Sequence, residues 1–241
     1  GGGGGGGVAL SDLPPVERVE VLRGPQGTLF CRNTSAGALS ITTQGPAFEF
    51  GGYAEASYGN YNEIEIKAGV TGPVSEMAAV RLDGGYHKRD GYIQDVNSDR
   101  SFNNIDRYFV RGQALLENEN ISFRIIGDFA KTDESCCGAL NTGSGFVLGG
   151  GGAAASAVVE ALAGANGLDG IVLPFNASAR RMAASPNRDL SEKVEEFGIS
   201  GQLDWELGDV TLTSITAYRD WQATRNQDID FSGLDRAYRD G

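Results

Sequence analysis

The chain has 241 residues, with 20 Lys and Arg against 32 Asp and Glu, a net charge of −12, and 40% hydrophobic residues. That length can bury the core of one or two domains, and the apolar share suits a globular or a barrel protein. The acidic balance excludes a nucleic-acid binder, because no basic cluster is available to neutralise phosphates, and no run of about 18 apolar residues offers a membrane helix, so a role in a membrane would be a barrel's.

In chain order, the run Gly1 to Gly7 reads as linker or filler, and no charged-then-apolar leader is legible before Val8. The stretch "VERVEVLRGPQGTLFCRNTSAGALSITT", Val16 to Thr43, holds two β-type runs around a crowded polar turn. The Gly24-Pro25 step, with Gly27 close behind, forces a tight turn that a helix cannot continue. Seven strands are then expected, at about 48–59, 61–71, 78–89, 107–117, 120–132, 194–207 and 209–223.

The signal is strict alternation. Glu196, Gly198, Ser200, Gln202, Asp204 and Glu206 take one face of a run, and Phe197, Ile199, Gly201, Leu203, Trp205 and Leu207 the other. "EIEIKAGV" opposes Glu63, Glu65 and Lys67 to Ile64, Ile66, Ala68 and Val70, and "ISFRIIGDF" opposes Ser122, Arg124, Ile126 and Asp128 to Ile121, Phe123, Ile125 and Phe129. A sandwich core would not tolerate the charged face, so only the apolar face is buried or set in lipid. In the last run, "VTLTSITAYRDW", Thr or Ser stands on both faces and the pattern assigns no inner side.

The connections alternate in length after the first link near Gly59 to Tyr61: "GPVSEM" at 72–77, a long polar stretch at 90–105, "ENEN" at 117–120, about sixty residues from Thr132 to Ser191, and "LGD" at 207–209. Tight turns on one rim and long loops on the other are the pattern of a membrane β-barrel, which places the 132–191 loop outside the cell. Tyr53, Tyr58, Tyr86, Trp205, Tyr218 and Trp221 fall towards run ends, as an interfacial aromatic girdle would place them. Within the long loop, Ala153 to Gly164 has the propensity of a short helix. Seven strands is below the smallest barrels, so a fragment is expected.

Other chemistry is poorly supported. Three Cys and the single His87 do not make a zinc site. The adjacent Cys136 and Cys137 suit a disulfide in an oxidising exterior, between themselves or to a cysteine elsewhere, with reduced bystander thiols as the plain alternative. "GPQGTLFCRN" lacks the Gly-Lys-Ser/Thr end of a phosphate loop. "DVNSD" at 95–99 starts like a calcium loop, but Arg100 stands where Gly is required. His87 has no Asp or Ser at triad spacing. Asn33, Asn120 and Asn176 head glycosylation-type triplets, a pattern common by chance.

Residues 16–46 closely resemble the second half of the plug domain of TonB-dependent outer-membrane receptors, in which a V-E-x-V-E-V-L-x-G-P strand leads through a Gly-rich turn and an R-N/G-x-x-A-G segment to the strand before the barrel. "VTGPVSEMAAVRLDGGYHKRDGYI", "SGQLDWELGDVTLTSITAYRDW" and "FSGLDRAYRDG" resemble barrel segments of the iron-complex branch, while Cys31 stands where the family usually has Gly.

The resemblance implies an all-β fold, part of a plugged transmembrane antiparallel barrel that the family builds from about 22 strands. It divides the chain into a linker at 1–7, the C-terminal part of the plug at 8–47, and the first part of the barrel at 48–241. It makes Glu20, Arg23, Gly24, Pro25, Gly27, Arg32, Asn33, Ala36 and Gly37 the plug motif, with a structural or coupling role, and Arg23 and Arg32 candidates to pair with carboxylates on the inner faces. It implies an outer-membrane transporter, not an enzyme, without cofactor or catalytic residues, that takes up a ferric siderophore or other metal chelate, with vitamin and glycan relatives known. The implied partners are outer-membrane lipid and the TonB energy-transducing protein, reached through a TonB box absent from this sequence. A passive porin and a soluble β-sandwich binding protein are the rival readings.

Overall fold

The computed structural model describes residues 14–24, 37–96, 98–135, 138, 180–185, 187–228 and 238–239, and among these there are strands and connections but no helix. In chain order the strands are β1 (Val16–Arg23), β2 (Gly37–Thr43), β3 (Gly51–Gly59), β4 (Glu63–Ser75), β5 (Ala78–Arg89), β6 (Ile93–Asp95), β7 (Ser101–Phe102), β8 (Ile105–Glu117), β9 (Ile121–Ser135), β10 (Arg181–Met182), β11 (Ser191–Leu207), β12 (Val210–Arg225), β13 (Gln227–Asp228) and β14 (Tyr238–Arg239). The two-residue pairs β13 and β14 run antiparallel.

Seven of them, in the order β12-β11-β9-β8-β5-β4-β3, form one antiparallel sheet in which every pair of neighbours follows in the chain once the short rim strands are set aside. These are the seven runs of alternating sequence. β4 continues past the expected turn, through Gly72 and Pro73, to a bulge before Ser75. Proline is tolerated there because β3 pairs with β4 only as far as Thr71, so Pro73 owes no N–H to that side.

β1 and β2 make a separate antiparallel hairpin, from Val16↔Thr43 to Arg23↔Gly37. Gly24 has φ +84°, and at Gly37, with φ +146°, a Cβ would stand 2.5 Å from the Leu22 carbonyl oxygen. Both ends of the turn therefore require glycine. The hairpin leads along Gln44 to Ala47 onto one face of the large sheet, where Gln113 Nε2 donates to the Gln44 carbonyl at 3.0 Å. That face is the inner one.

Cross-strand register carries the assignment to every strand, because directly opposed residues share a face. On β11 the even-numbered residues from Glu196 to Glu206 face inward and the odd-numbered ones outward. β12 pairs with β11 from Glu192↔Arg225 to Leu207↔Val210, so Thr213, Ile215, Ala217, Arg219 and Trp221 are inner residues and Leu212, Thr216 and Tyr218 outer ones. Between Trp205 and Phe197 the outer face of β11 is uncharged, whereas Lys131–Glu195 and Asp133–Lys193 ion pairs mark the upper rim. From Trp205 to Glu195 is about 33 Å of strand, or about 25 Å of height at a barrel tilt.

The aromatic girdle needs correcting at two positions. Tyr58, Tyr86, Trp205 and Tyr218 do face outward, but Tyr53 is in register with Gly69 and Asp83, and Trp221 with Glu196, on the inner face. Amphipathic rings suit a water-filled interior as well as an interface, so position along the strand did not separate them.

At the upper rim, β10, β6 and β7 form a small mixed sheet. Between β3 and β4, Tyr61 and Asn62 both have left-handed φ (64° and 53°), and Asp90 clamps this tip: its N–H donates to the Tyr61 carbonyl at 2.8 Å and its carboxylate accepts from Asn62 Nδ2 at 2.6 Å.

Candidate functional site

The inner wall is built in cross-strand rungs. Just below its middle the wall holds the chain that leaves the β1–β2 hairpin. Thr71 Oγ1 accepts the Ala47 N–H at 2.8 Å and donates to the Val80 carbonyl at 3.0 Å. Gln113, buried, grips the Gln44 carbonyl, and its own Oε1 accepts from Arg124 Nη2, so the arginine fixes the amide's orientation. Gln44 also donates its N–H to the Pro15 carbonyl at 2.9 Å. One residue thus closes the hairpin with its N–H and ties it to the wall with its C=O.

The middle rung runs Tyr53, Gly69, Asp83, Arg111, Asp128, Gly198, Arg219 across all seven strands. Asp83, fully buried, is held by Arg81 through two bonds, Nε–Oδ2 at 2.7 Å and Nη2–Oδ1 at 2.9 Å. Such a paired geometry is what makes a buried carboxylate tolerable. The two glycines leave room for their neighbours to meet overhead: a Cβ at Gly69 would collide with the Asp83 carboxylate and stand 2.5 Å from the Tyr53 ring, and one at Gly198 would stand 2.9 Å from Asp128 Oδ2 and 3.0 Å from Arg219 Nη2.

Above it, the wall carries the ion pairs Glu65–Lys67 at 2.7 Å, Arg107–Glu134 at 2.8 Å and Glu192–Arg225 at 2.7 Å, and a 2.9 Å contact between His87 Nε2 and Glu63 Oε1. Phe109 and Trp221 share the rung of Lys67, directly above the middle one. The surface can therefore bind a polar, charged guest through charge-assisted hydrogen bonds and ring contacts, and among the described residues it brings together no nucleophile, base and orienting group. Among the described residues no three His, Cys, Asp or Glu side chains converge on a metal position.

Of the motif residues expected from sequence, Glu20 lies in β1 opposite Ser40 and takes a 3.2 Å ion pair from Arg18, Arg23 ends β1 opposite Gly37, and Gly24 and Gly37 flank the turn. Pro25, Gly27, Arg32, Asn33, Ala36, Cys31, Cys136, Cys137 and the Ala153 to Gly164 stretch lie outside the described residues. The rung at Asp83 and the Gln44–Gln113–Arg124 contact were missed by sequence reasoning. Alternation put Arg124, Asp128 and Gly198 on the charged face, but not Tyr53, Arg219 or Gln44, and only register shows which residues meet.

No family model matches the chain. In sequence it is 33% identical over 87 residues to the ferrioxamine B receptor of Salmonella typhimurium, a match covering 35% of this chain and 12% of that receptor. It is 32% identical over 75 residues to the ferripyoverdine receptor of Pseudomonas aeruginosa, covering 31% of this chain and 9% of that one. The fold matches the ferric yersiniabactin uptake receptor of Yersinia pestis with a TM-score of 0.67 over 89% of this chain and 30% of that one, at 17% identity. The chain has the sequence relatives and the fold of the TonB-dependent outer-membrane receptors. The chain spans about a tenth of the curated receptors in its matches and under a third of the solved one.

Proposed function

We propose that the chain is part of an outer-membrane receptor that takes up a ferric siderophore or similar metal chelate by TonB-driven transport, and that it acts as a transporter and not as an enzyme. The observation that carries this reading is a plug hairpin tied at Gln44 to the inside of a one-sidedly charged barrel sheet, in a chain whose sequence relatives include ferrioxamine B and ferripyoverdine receptors. A passive porin has no such hairpin across its interior. The relatives also include a vitamin B12 transporter from Vibrio vulnificus, 26% identical over 89 residues, so an iron-free corrinoid is the second cargo to try.

In this reading residues 8–47 are plug and 48–241 barrel, the ion-paired upper wall faces the incoming chelate, and the motif from Glu20 to Gly37 links ligand capture to the pull delivered by TonB. Arg23 and Arg32 would pair with inner carboxylates, and Cys136 and Cys137 would form an extracellular disulfide. The test is uptake of iron-55-loaded hydroxamate and catecholate chelates by cells carrying the full-length receptor, with and without a protonophore. Uptake that stops with the proton gradient supports the proposal, and uptake that survives it favours a porin. Arg23→Glu at normal surface abundance should impair uptake, and unchanged transport would remove the coupling role from that residue.

A further inference from the structure

We infer that the described segments at the upper rim on either side of β8 and β9 are not separate loops but a single cooperatively folded cap, bolted by Arg100. Its parts come from distant places in the chain: residues 91–96 and 98–102 between β5 and β8, residues 180–185 and 187–190 before β11, and Tyr238 after β12. They share one apolar core, made by Ile93 and Phe102 from the first segment and Met182, Ala184 and Leu190 from the second, all buried, with Tyr92 and Tyr238 packed against it. This is a satellite core of its own, set apart from the sheet and shared by segments far apart in sequence.

The backbone joins the same segments. β6 pairs with β10 in parallel and with β7 antiparallel. Gln94 N–H donates to the Arg180 carbonyl at 2.9 Å and Val96 N–H to the Met182 carbonyl at 2.9 Å. Arg100 then crosses between them. Its Nη1 donates to the Arg188 carbonyl and its Nη2 to the Ser185 carbonyl, both at 2.8 Å, while Nη2 also reaches Asp95 Oδ2 at 2.9 Å and Nε reaches Ser98 Oγ at 2.9 Å. Asp95, buried, spends its other oxygen on the Ala184 N–H at 3.2 Å. The guanidinium also lies 5.6 Å from the centre of the Phe102 ring. Removing one segment would strip apolar cover and hydrogen-bond partners from the other at once, which is the condition for all-or-none opening. The cap therefore folds and unfolds as one unit.

That it sits at an extracellular mouth rests on the transport reading above; that it is one body does not. The test is hydrogen exchange by mass spectrometry on the full-length receptor in detergent, without ligand, at rising denaturant. In the wild type, peptides covering 91–96 and 180–185 should open with a single equilibrium constant and a single denaturant dependence, ahead of β8 and β9. Arg100→Ala should raise exchange about tenfold or more in both peptides and leave β8 and β9 unchanged, and Met182→Ser should do the same from the other segment. Unequal opening of the two peptides in the wild type overturns the proposal whatever the variants do, as does an Arg100→Ala effect confined to 91–102. Failure of iron uptake with this exchange pattern intact would remove the transport reading and leave the cap.

Discussion

Arg219 on β12 binds Asp128 on β9 over the top of the strand between them, with Nη2 3.2 Å from Oδ2, because the intervening position on β11 is Gly198. The same arginine takes Glu196 at 3.4 Å. Tyr53 and Asp83 meet in the same way above Gly69, so the middle rung twice replaces a side chain with a gap that its neighbours fill.

The two gaps differ in what surrounds them, and so should their substitutions. At Gly198 the obstacles are the ends of flexible, partly exposed side chains, so Gly198→Ala should cost under about 1 kcal/mol. At Gly69 the obstacle is Asp83, buried and locked by Arg81, so Gly69→Ala should cost about 1–3 kcal/mol as overpacking. Equilibrium unfolding of the full-length receptor from lipid vesicles ranks them, and the reverse order would show that Asp83 is free to move.

Leu203 and Gln202 are neighbours on β11 that face opposite sides. Leu203→Arg should cost about 2–4 kcal/mol if its side chain stands near the bilayer midplane, and Gln202→Arg far less. Yield of heat-modifiable, folded barrel in outer-membrane fractions reads the difference. Equal losses would reject the facing assignment.

Gln113→Leu should leave the Gln44 carbonyl without its side-chain donor and Arg124 without its acceptor, at about 1–3 kcal/mol for stranded polar groups. Amide exchange at Gln44 and along β2 should rise while β8 and β9 hold. Unchanged exchange would mean that the covalent linker alone keeps the hairpin in place.

Alternation was plainest in β4, β9 and β11, where Glu, Arg and Asp took the wet face and left Ile, Phe and Leu on the other. β12 was opaque for the same physical reason in reverse: Thr and Ser accept either environment, and only its ladder to β11 decides the matter. Tyr53 and Trp221 misled because an aromatic at a strand end has two good destinations. The cap was invisible because Ile93, Phe102, Met182 and Leu190 belong to stretches with no periodicity, and nothing local tells a loop leucine that it will be buried by residues some ninety positions away. The inner rungs lie between these cases, since composition named their members and register chose the partners.

The double engagement of Gln44 sets how the hairpin responds to force. β1 and β2 are antiparallel, so the start of β1 and the end of β2 lie side by side, joined by the Gln44–Pro15 bond, and the end of β2 is fixed to the wall by Gln113. Tension applied to the chain ahead of Pro15 therefore falls on one ladder bond at a time, beginning at Pro15 and moving towards Arg23, instead of loading all of them together in shear. Strands loaded this way peel like a zip at low force. The wall contact at Gln44, with the chain that follows it, carries the reaction to that pull, so the hairpin yields with its exit still moored only because the mooring has to withstand no more than the force that opens one ladder bond.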